Sequence, residues 1–435
     1  MRRLGVTRLY AKALAENDNS KQQIYLGGSF DVLQQLPITN LREEPGGKRP
    51  NFKASLDLRW VAADGRTERA ESAQLILYPD YPEVRLSGFL RGCSLAPSEH
   101  MRAVPAQSRR FNNQQDGRIL FFGVSADGTT HVCLELEGSP VAREFAERCR
   151  TGELERSGIL WQLPLVGSST NRQKLLDALL SIHLGGWHQG CRLKSSGEKI
   201  PYQAQNGGGY TLEALLGVRP NGRSEPDYLG YEIKGFSGYR ITLMTPEPDL
   251  GLYGEKGVEA FVRAYGRPSV SEGKERIYFT GIHRIDEACQ SSGQTLVLEG
   301  FDQRSRKIVD VQGAIRLMDA DGRTSAGWTF KGLMAHWARK HAAAAYVPYE
   351  SDKGGPPKYR YNSPILIGEG TAFEMYLAAM AGGLVFYDPA PKVTVGKNLK
   401  TTVKARNQFR VSPKNLGVLY RELKAVPLVS DSTGN

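Results

Sequence analysis

Cysteine is scarce in this chain of 435 residues: Cys93, Cys133, Cys149, Cys191 and Cys289 are all there is. They are scattered and odd in number, with no C-x-x-C pair and no Cys/His spacing, which argues against a disulfide framework and a thiolate metal site. Five ordinary thiols in a reducing cytoplasm is the expectation. Long hydrophobic runs are also missing. None approaches the ~18 apolar residues of a membrane span, and Met1-Arg2-Arg3 is not followed by the apolar core of a signal peptide. No membrane partner is expected. No internal repeat or low-complexity block occurs. Negative charge is in deficit, with 46 Asp and Glu against 57 Lys and Arg, a formal net charge of +11. Such a balance favours a polyanionic partner, with most weight where the charge is concentrated.

What is present is ordinary globular material, 40% hydrophobic and 24% charged, long enough for two or three domains. The first ~150 residues read as strand-rich. Runs at Phe52 to Val61, Gln74 to Tyr78, from Val84, from Arg118 and from His131 are separated by turns such as Asp64-Gly65 and Asp127-Gly128. Thr7 to Asn17 reads as an amphipathic helix, and a second helix covers about Pro140 to Arg150. Nothing in this part has catalytic character. Arg102, Arg109 and Arg110 lie in a polar stretch that is either a solvated loop or a track for phosphates.

From Ser157 the composition shifts. A helix from Thr170 or Asn171 to about His183 buries Leu175, Leu176, Leu179, Leu180 and Ile182. His183 and His188 have no carboxylate at hand and read as structural. The chemistry gathers from Gly207 to Lys234, GGGYTLEALLGVRPNGRSEPDYLGYEIK. Tyr231 and Ile233 alternate with Glu232 and Lys234, as in a strand, so acid and amine share one face roughly 7 Å apart. Asp227, five positions before Glu232, would face the other way on an unbroken strand. Gly230 permits the bend that brings it round. Glu213 belongs to a helix, with Thr211 as N-cap, Leu212, Leu215 and Leu216 as its apolar stripe and Gly217 as its stop. Clustered carboxylates hold Mg2+, which keeps water ligands and lowers their pKa, and a neighbouring lysine orients water and adds positive charge. A bare E-x-K is mostly a solvated surface pair; the additional acids give the group its meaning.

Pro226-Asp227, four residues, then Glu232-Ile233-Lys234 match the PD-(D/E)xK nuclease motif. The whole phrase resembles the MvaI/BcnI family of type II restriction endonucleases, from about Trp161 to about Tyr420. That family shares its fold with the mismatch-repair nicking endonuclease MutH, where a helical glutamate also precedes the Asp…Glu-x-Lys group. The resemblance implies an α/β (α+β) core with a central mixed sheet flanked by helices, residues 156–425. Residues 1–155 form an accessory β-rich domain for DNA or partner contact, and 426–435 a flexible tail. It implies Asp227 and Glu232 as metal ligands, Lys234 serving the attacking water and Glu213 as an accessory carboxylate. Lys256 and Lys274 are both candidates for a later lysine.

Two segments read as DNA-facing. Lys331 to Tyr346 reads as one helix, with Leu333, Met334, Trp337 and the alanines on its apolar side and His336, Arg339, Lys340 and His341 crowding one turn. Lys392 to Lys424 carries nine basic residues against Glu422 alone, a nucleic-acid footprint. Within it Lys404, Arg406, Asn407, Gln408 and Arg410 are side-chain types that read base edges. Solvated basic surface is the alternative for both. Asp388 before Pro389 reads as a turn cap. The expected protein is a Mg2+-dependent, sequence-specific endonuclease on double-stranded DNA leaving 5′-phosphates. The resemblance implies a monomer acting on a short CC-x-GG-type site beside a protective DNA methyltransferase. A repair nickase and a non-catalytic DNA-binding regulator are the alternatives; the complete acid and lysine set argues against the second.

Overall fold

The computed structural model describes residues 1–28, 30–46, 49–81, 83–109, 115–165, 171–204, 206–219, 227–271, 274–341, 343–352, 354–395 and 401–429. The chain forms two compact units, Met1–Asn171 and Arg172–Asn435. Among the described residues no helix is long and apolar enough to cross a membrane.

The first unit is built from two sheets. Seven strands run in the order Glu155–Ser157, Leu160–Leu163, Val6–Ala15, Gln115–Ser125, Thr130–Glu135, Leu58–Val61 and Thr67–Arg69. The second sheet has five, in the order Gln23–Tyr25, Glu83–Ser87, Gln74–Tyr78, Asn51–Ser55 and Thr39–Glu44. The expected helix over Thr7 to Asn17 is therefore a strand, paired with Gln115–Ser125 on one side and Leu160–Leu163 on the other. Its apolar residues are spaced compatibly with either structure, and pairing on both flanks decides between them. Phe52 to Val61 is broken at Leu56-Asp57, so its halves serve different sheets. The Pro140–Arg150 helix forms as expected, with Ser139 accepting from Ala142 N and Pro140 at its start. It packs Ala142 and Phe145 against Ala11, Ile119 and Phe121.

The second unit turns on the strand Ala343–Asp352. It lies parallel to Glu232–Phe236, with Glu232 opposite Ala344, Ile233 opposite Ala345 and Lys234 opposite Tyr346. Its first half pairs antiparallel with Ile365–Glu369 and its last residues with Lys358–Tyr361. Glu422–Val426 and His188–Gln189 extend these partners outward. The reading of Lys331 to Tyr346 as one helix is corrected here: the helix is Phe330–Lys340, and the alanines begin the central strand. Alanine favours helices locally, but small residues are what a crowded strand between two neighbours requires.

Side chains on the sheet alternate between faces. Ile233, Ala345, Val347 and Ile367 form one core with Leu175, Leu179 and Ile182 of the Asn171–Leu184 helix and with Leu212 and Leu216. Glu232 and Lys234 consequently stand on the opposite face. His183 and His188 are spent on backbone carbonyls, those of Tyr361 and Ile182.

Candidate active site

The Gly207–Leu215 helix carries Glu213. Its opening glycines let it press onto the sheet, since a Cβ on Gly208 would come within 2.2 Å of the Tyr349 ring. Thr211 is not its N-cap. Asn206 holds that position, and the buried Thr211 hydroxyl instead exchanges hydrogen bonds with the Cys191 backbone, at 3.0 and 3.2 Å. Gly217, at φ +75°, follows the helix end in the left-handed region that glycine favours.

The chain then enters a tight reversal. Tyr228 N donates to Tyr231 O at 3.0 Å and Tyr231 N to Tyr228 O at 2.9 Å, around Leu229 and Gly230 at φ 52° and 90°. Two consecutive positive φ values are those of a type I′ turn, the natural two-residue hairpin loop. The reversal carries Asp227 back along the strand, where its Oδ2 accepts from Ile233 N at 2.9 Å. Its carboxylate is thereby tied to the backbone between Glu232 and Lys234.

Glu232 is 1% exposed and its Oε1 accepts from Lys234 Nζ at 2.5 Å, while the Lys234 side chain remains 22% exposed. Burial works against the Lys234 ammonium. The Glu232 carboxylate and its hydrogen bond, with the charges of Asp227 and Glu213, outweigh that and hold the group above its ordinary value. All three acids therefore act on one cation, although they come from a helix, a turn and a strand.

Beneath Glu232 lies a buried group for which the sequence gives no local signal. Tyr346, opposite Lys234 in the register, shares a hydrogen bond of 2.7 Å with Tyr420. Tyr420 lies 3.4 Å from Nδ1 of His341, whose Nε2 lies 3.0 Å from Leu243 O. Gly368 makes room, because a Cβ there would come within 2.6 Å of the Tyr420 ring. Burial pushes the Tyr346 hydroxyl up, and the Glu232 charge adds to it. Burial drives His341 down to about 3, against the opposing pull of the Glu232 charge and with Lys234 adding to the shift. Apart from the Lys234 ammonium on its Oε1, the buried Glu232 carboxylate thus has neutral neighbours in Tyr346 and His341.

His341 is accordingly not a DNA contact: fully buried, neutral and stacked on Trp337 at 4.1 Å, it presents no cation to a surface. Asn407 is likewise not a base reader. It is 1% exposed, and its amide donates to Tyr253 and Glu247 while accepting from Tyr387 at 2.7 Å. Gln408 accepts from Arg406 and Arg410, and Arg410 is half-buried on Asp388 at 2.8 Å. Asp388, read as a turn cap, instead holds Arg410 and Arg240. Lys404 and Arg406 are exposed and His336 half-buried. The side chains of Arg339, Lys340 and Lys274 lie outside the described residues, as do Pro226, Arg110 and Thr170. Lys256 is exposed on the Gly251–Tyr265 helix.

Among the described residues no group of three or more His, Cys, Asp or Glu is placed to hold a metal ion. Asp227 and Glu232 supply oxygen donors only. That set fits a hard cation such as Mg2+, which binds through one or two carboxylates and takes its remaining ligands from water and phosphate.

Two acids and a lysine beside a turn, on one face of a mixed sheet whose other face is covered by helices, are the arrangement expected of a PD-(D/E)xK nuclease fold. The model of the MvaI/BcnI restriction endonuclease family matches residues 176–420, and the chain belongs to that family. It is a type II restriction endonuclease, a site-specific deoxyribonuclease. Among solved structures it is similar to "Restriction endonuclease MvaI-cognate DNA substrate complex", at 18% identity over 60% of this chain and 100% of that one, with a TM-score of 0.47. It is also similar to "Restriction endonuclease MvaI in the absence of DNA", at 16% identity over the same shares, 60% and 100%, with a TM-score of 0.33. No curated protein matches. Restriction endonucleases in general work with a divalent metal ion.

Proposed function

We propose that this enzyme hydrolyses double-stranded DNA with Mg2+ held by Asp227 and Glu232, while Lys234 orients the attacking water. The observation that carries the reading is the tie from Ile233 N to Asp227, which fixes one carboxylate beside the Glu232–Lys234 pair. When bound, the ion neutralises phosphate charge and acidifies water. The protein's own part begins with Lys234. Its ammonium, held above the ordinary lysine value, is a permanent cation for the anionic transition state. Tyr346, Tyr420 and His341 supply neutral neighbours to Glu232, so that Lys234 is the cation it pairs with. Glu213 is an accessory carboxylate that completes the acidic wall.

The exposed Lys404 and Arg406 are positioned to meet phosphates, within a segment from Lys392 to Lys424 that carries nine basic residues and one acid. The biological setting is a cytoplasmic restriction system against foreign DNA, in which a methyltransferase protects a short CC-x-GG-like site and the enzyme acts as a monomer. A plasmid digest with Mg2+ tests the activity. Linear product with fixed, sequenced 5′-phosphate ends is expected; persistent nicked circles would instead support a repair nickase.

A further inference from the structure

The first unit contains a cleft of about 430 Å³ that the nuclease chemistry does not use. It opens between the two sheets, lined by the Val6–Ala15, Leu160–Leu163 and Gln23–Tyr25 strands and by Arg85 and Gln115. Its floor is the buried pair Lys12–Asp18, 2.5 Å apart and 3% and 6% exposed. Asp18 is fully engaged: Oδ2 accepts from Lys12 and Ala15 N, and Oδ1 accepts from Tyr25 N. Lys12 has committed two of its three N–H bonds, to Asp18 and to Ala13 O.

The charges at the mouth differ in kind. Lys21 and Arg156 are exposed, and Arg85 joins them half-buried on Glu83. Among the described residues lining the cleft the acid is the buried Asp18, and none of the exposed ones is acidic. Residues 1–171 carry 22 basic and 20 acidic side chains, so this one-sided lining is not the average of the unit. Between the cations stand the amides of Asn17, Gln23 and Gln115 and the aromatic faces of Tyr25 and Trp161, with Arg156 5.5 Å over the latter ring. Cations that meet phosphates and amides that read base edges are the two components of a DNA-binding surface. The Arg102 segment is anchored beside it, through Val104 N to Glu16 O and the Asn19 amide to Met101 O.

We infer that this cleft is a second DNA-binding site, separate from the catalytic acids, which takes the phosphates and base edges of duplex DNA. The inference deepens the reading of the chain as acting on DNA and rests on it to that extent. The test uses the full-length chain and a fluorescein-labelled duplex of random sequence bearing 5-iodouracil. Ultraviolet crosslinking followed by peptide mapping is expected to join the duplex to Tyr25 or Trp161. Lys21→Glu with Arg156→Glu should abolish those crosslinks and flatten the salt dependence of binding, with an affinity loss on the order of tenfold. Circular dichroism confirms that this surface variant folds. Crosslinks confined to residues 172–435, or retained in the double variant, would overturn the inference while leaving the nuclease reading intact. Competition by adenosine monophosphate at the duplex's own concentration would overturn it too, in favour of a small-molecule pocket. Failure of the catalytic reading has its own signature, since plasmid cleavage by the unaltered enzyme would then be absent whatever the crosslinks show.

Discussion

Each unit buries a lysine against a carboxylate at 2.5 Å, and the two pairs do opposite work. Lys12–Asp18 is closed, with both side chains under 7% exposed and the remaining acceptors of Asp18 taken by the backbone of its own loop. It staples the end of a strand to the turn that follows. Lys234–Glu232 is half-open, with the amine 22% exposed and two more acids, Asp227 and Glu213, acting on it. A buried ion pair is therefore no sign of chemistry in itself. What marks a site is an excess of one charge around the pair and an exposed end from which a substrate is reached.

The comparison is broken most severely at the nuclease pair. Asp227→Ala and Lys234→Ala are each expected to lower plasmid cleavage by on the order of a thousandfold while DNA binding persists and weakens steeply with salt, as measured by digestion and by fluorescence anisotropy. Wild-type cleavage in either variant would remove the assignment.

Stability should sort the pairs the other way. Asp18→Asn strands a buried ammonium and should cost about 3–5 kcal/mol in urea denaturation. Glu232→Gln leaves an ammonium that still has Asp227 and Glu213 near it and solvent at one end, so its cost should be clearly smaller. Equal losses would show the two pairs to be alike.

A buried base whose hydrogen-bond partner is a hydroxyl sharpens the contrast. His283 is fully buried, stacked on Phe279 at 5.5 Å and 2.8 Å from the Ser292 hydroxyl. Burial lowers it to about 4. Its folded pKa lies below the unfolded value near 6.5, so its contribution is complete above about pH 6.5. That contribution is lost as pH falls toward 4, at most about 3 kcal/mol. His283→Gln should show a correspondingly weaker fall in its urea midpoint between pH 6.5 and 4.5. The smallest effect belongs to the hydroxyls under Glu232: a double-mutant cycle of Tyr346→Phe and Tyr420→Phe should give a coupling of about 1 kcal/mol.

Much of the nuclease element was legible locally. Glu232-Ile233-Lys234 announces its alternation, Gly230 its reversal and Gly217 its helix stop, because each depends on φ/ψ preferences carried by the residue itself. Other features were not legible. Thr7 to Asn17 has spacing that suits either regular structure, and the alanines before Tyr346 favour the helix they do not form. His341 and Asn407 look like surface readers by type, yet packing places both inside.

By itself, the sequence determined the chemistry available: two acids and an amine within eight residues, a glycine to fold them together and a basic C-terminal segment. Those follow from covalent spacing and backbone preference, which act over a few residues. Only the tertiary structure decided that Ala344 would lie opposite Glu232, that Tyr420 would cover Gly368 beneath the acid and that the first unit would open a cleft with exposed Lys21 and Arg156 at its mouth. Each of these joins residues far apart in the chain, and pairing and burial, rather than local propensity, settle which of several permitted conformations persists.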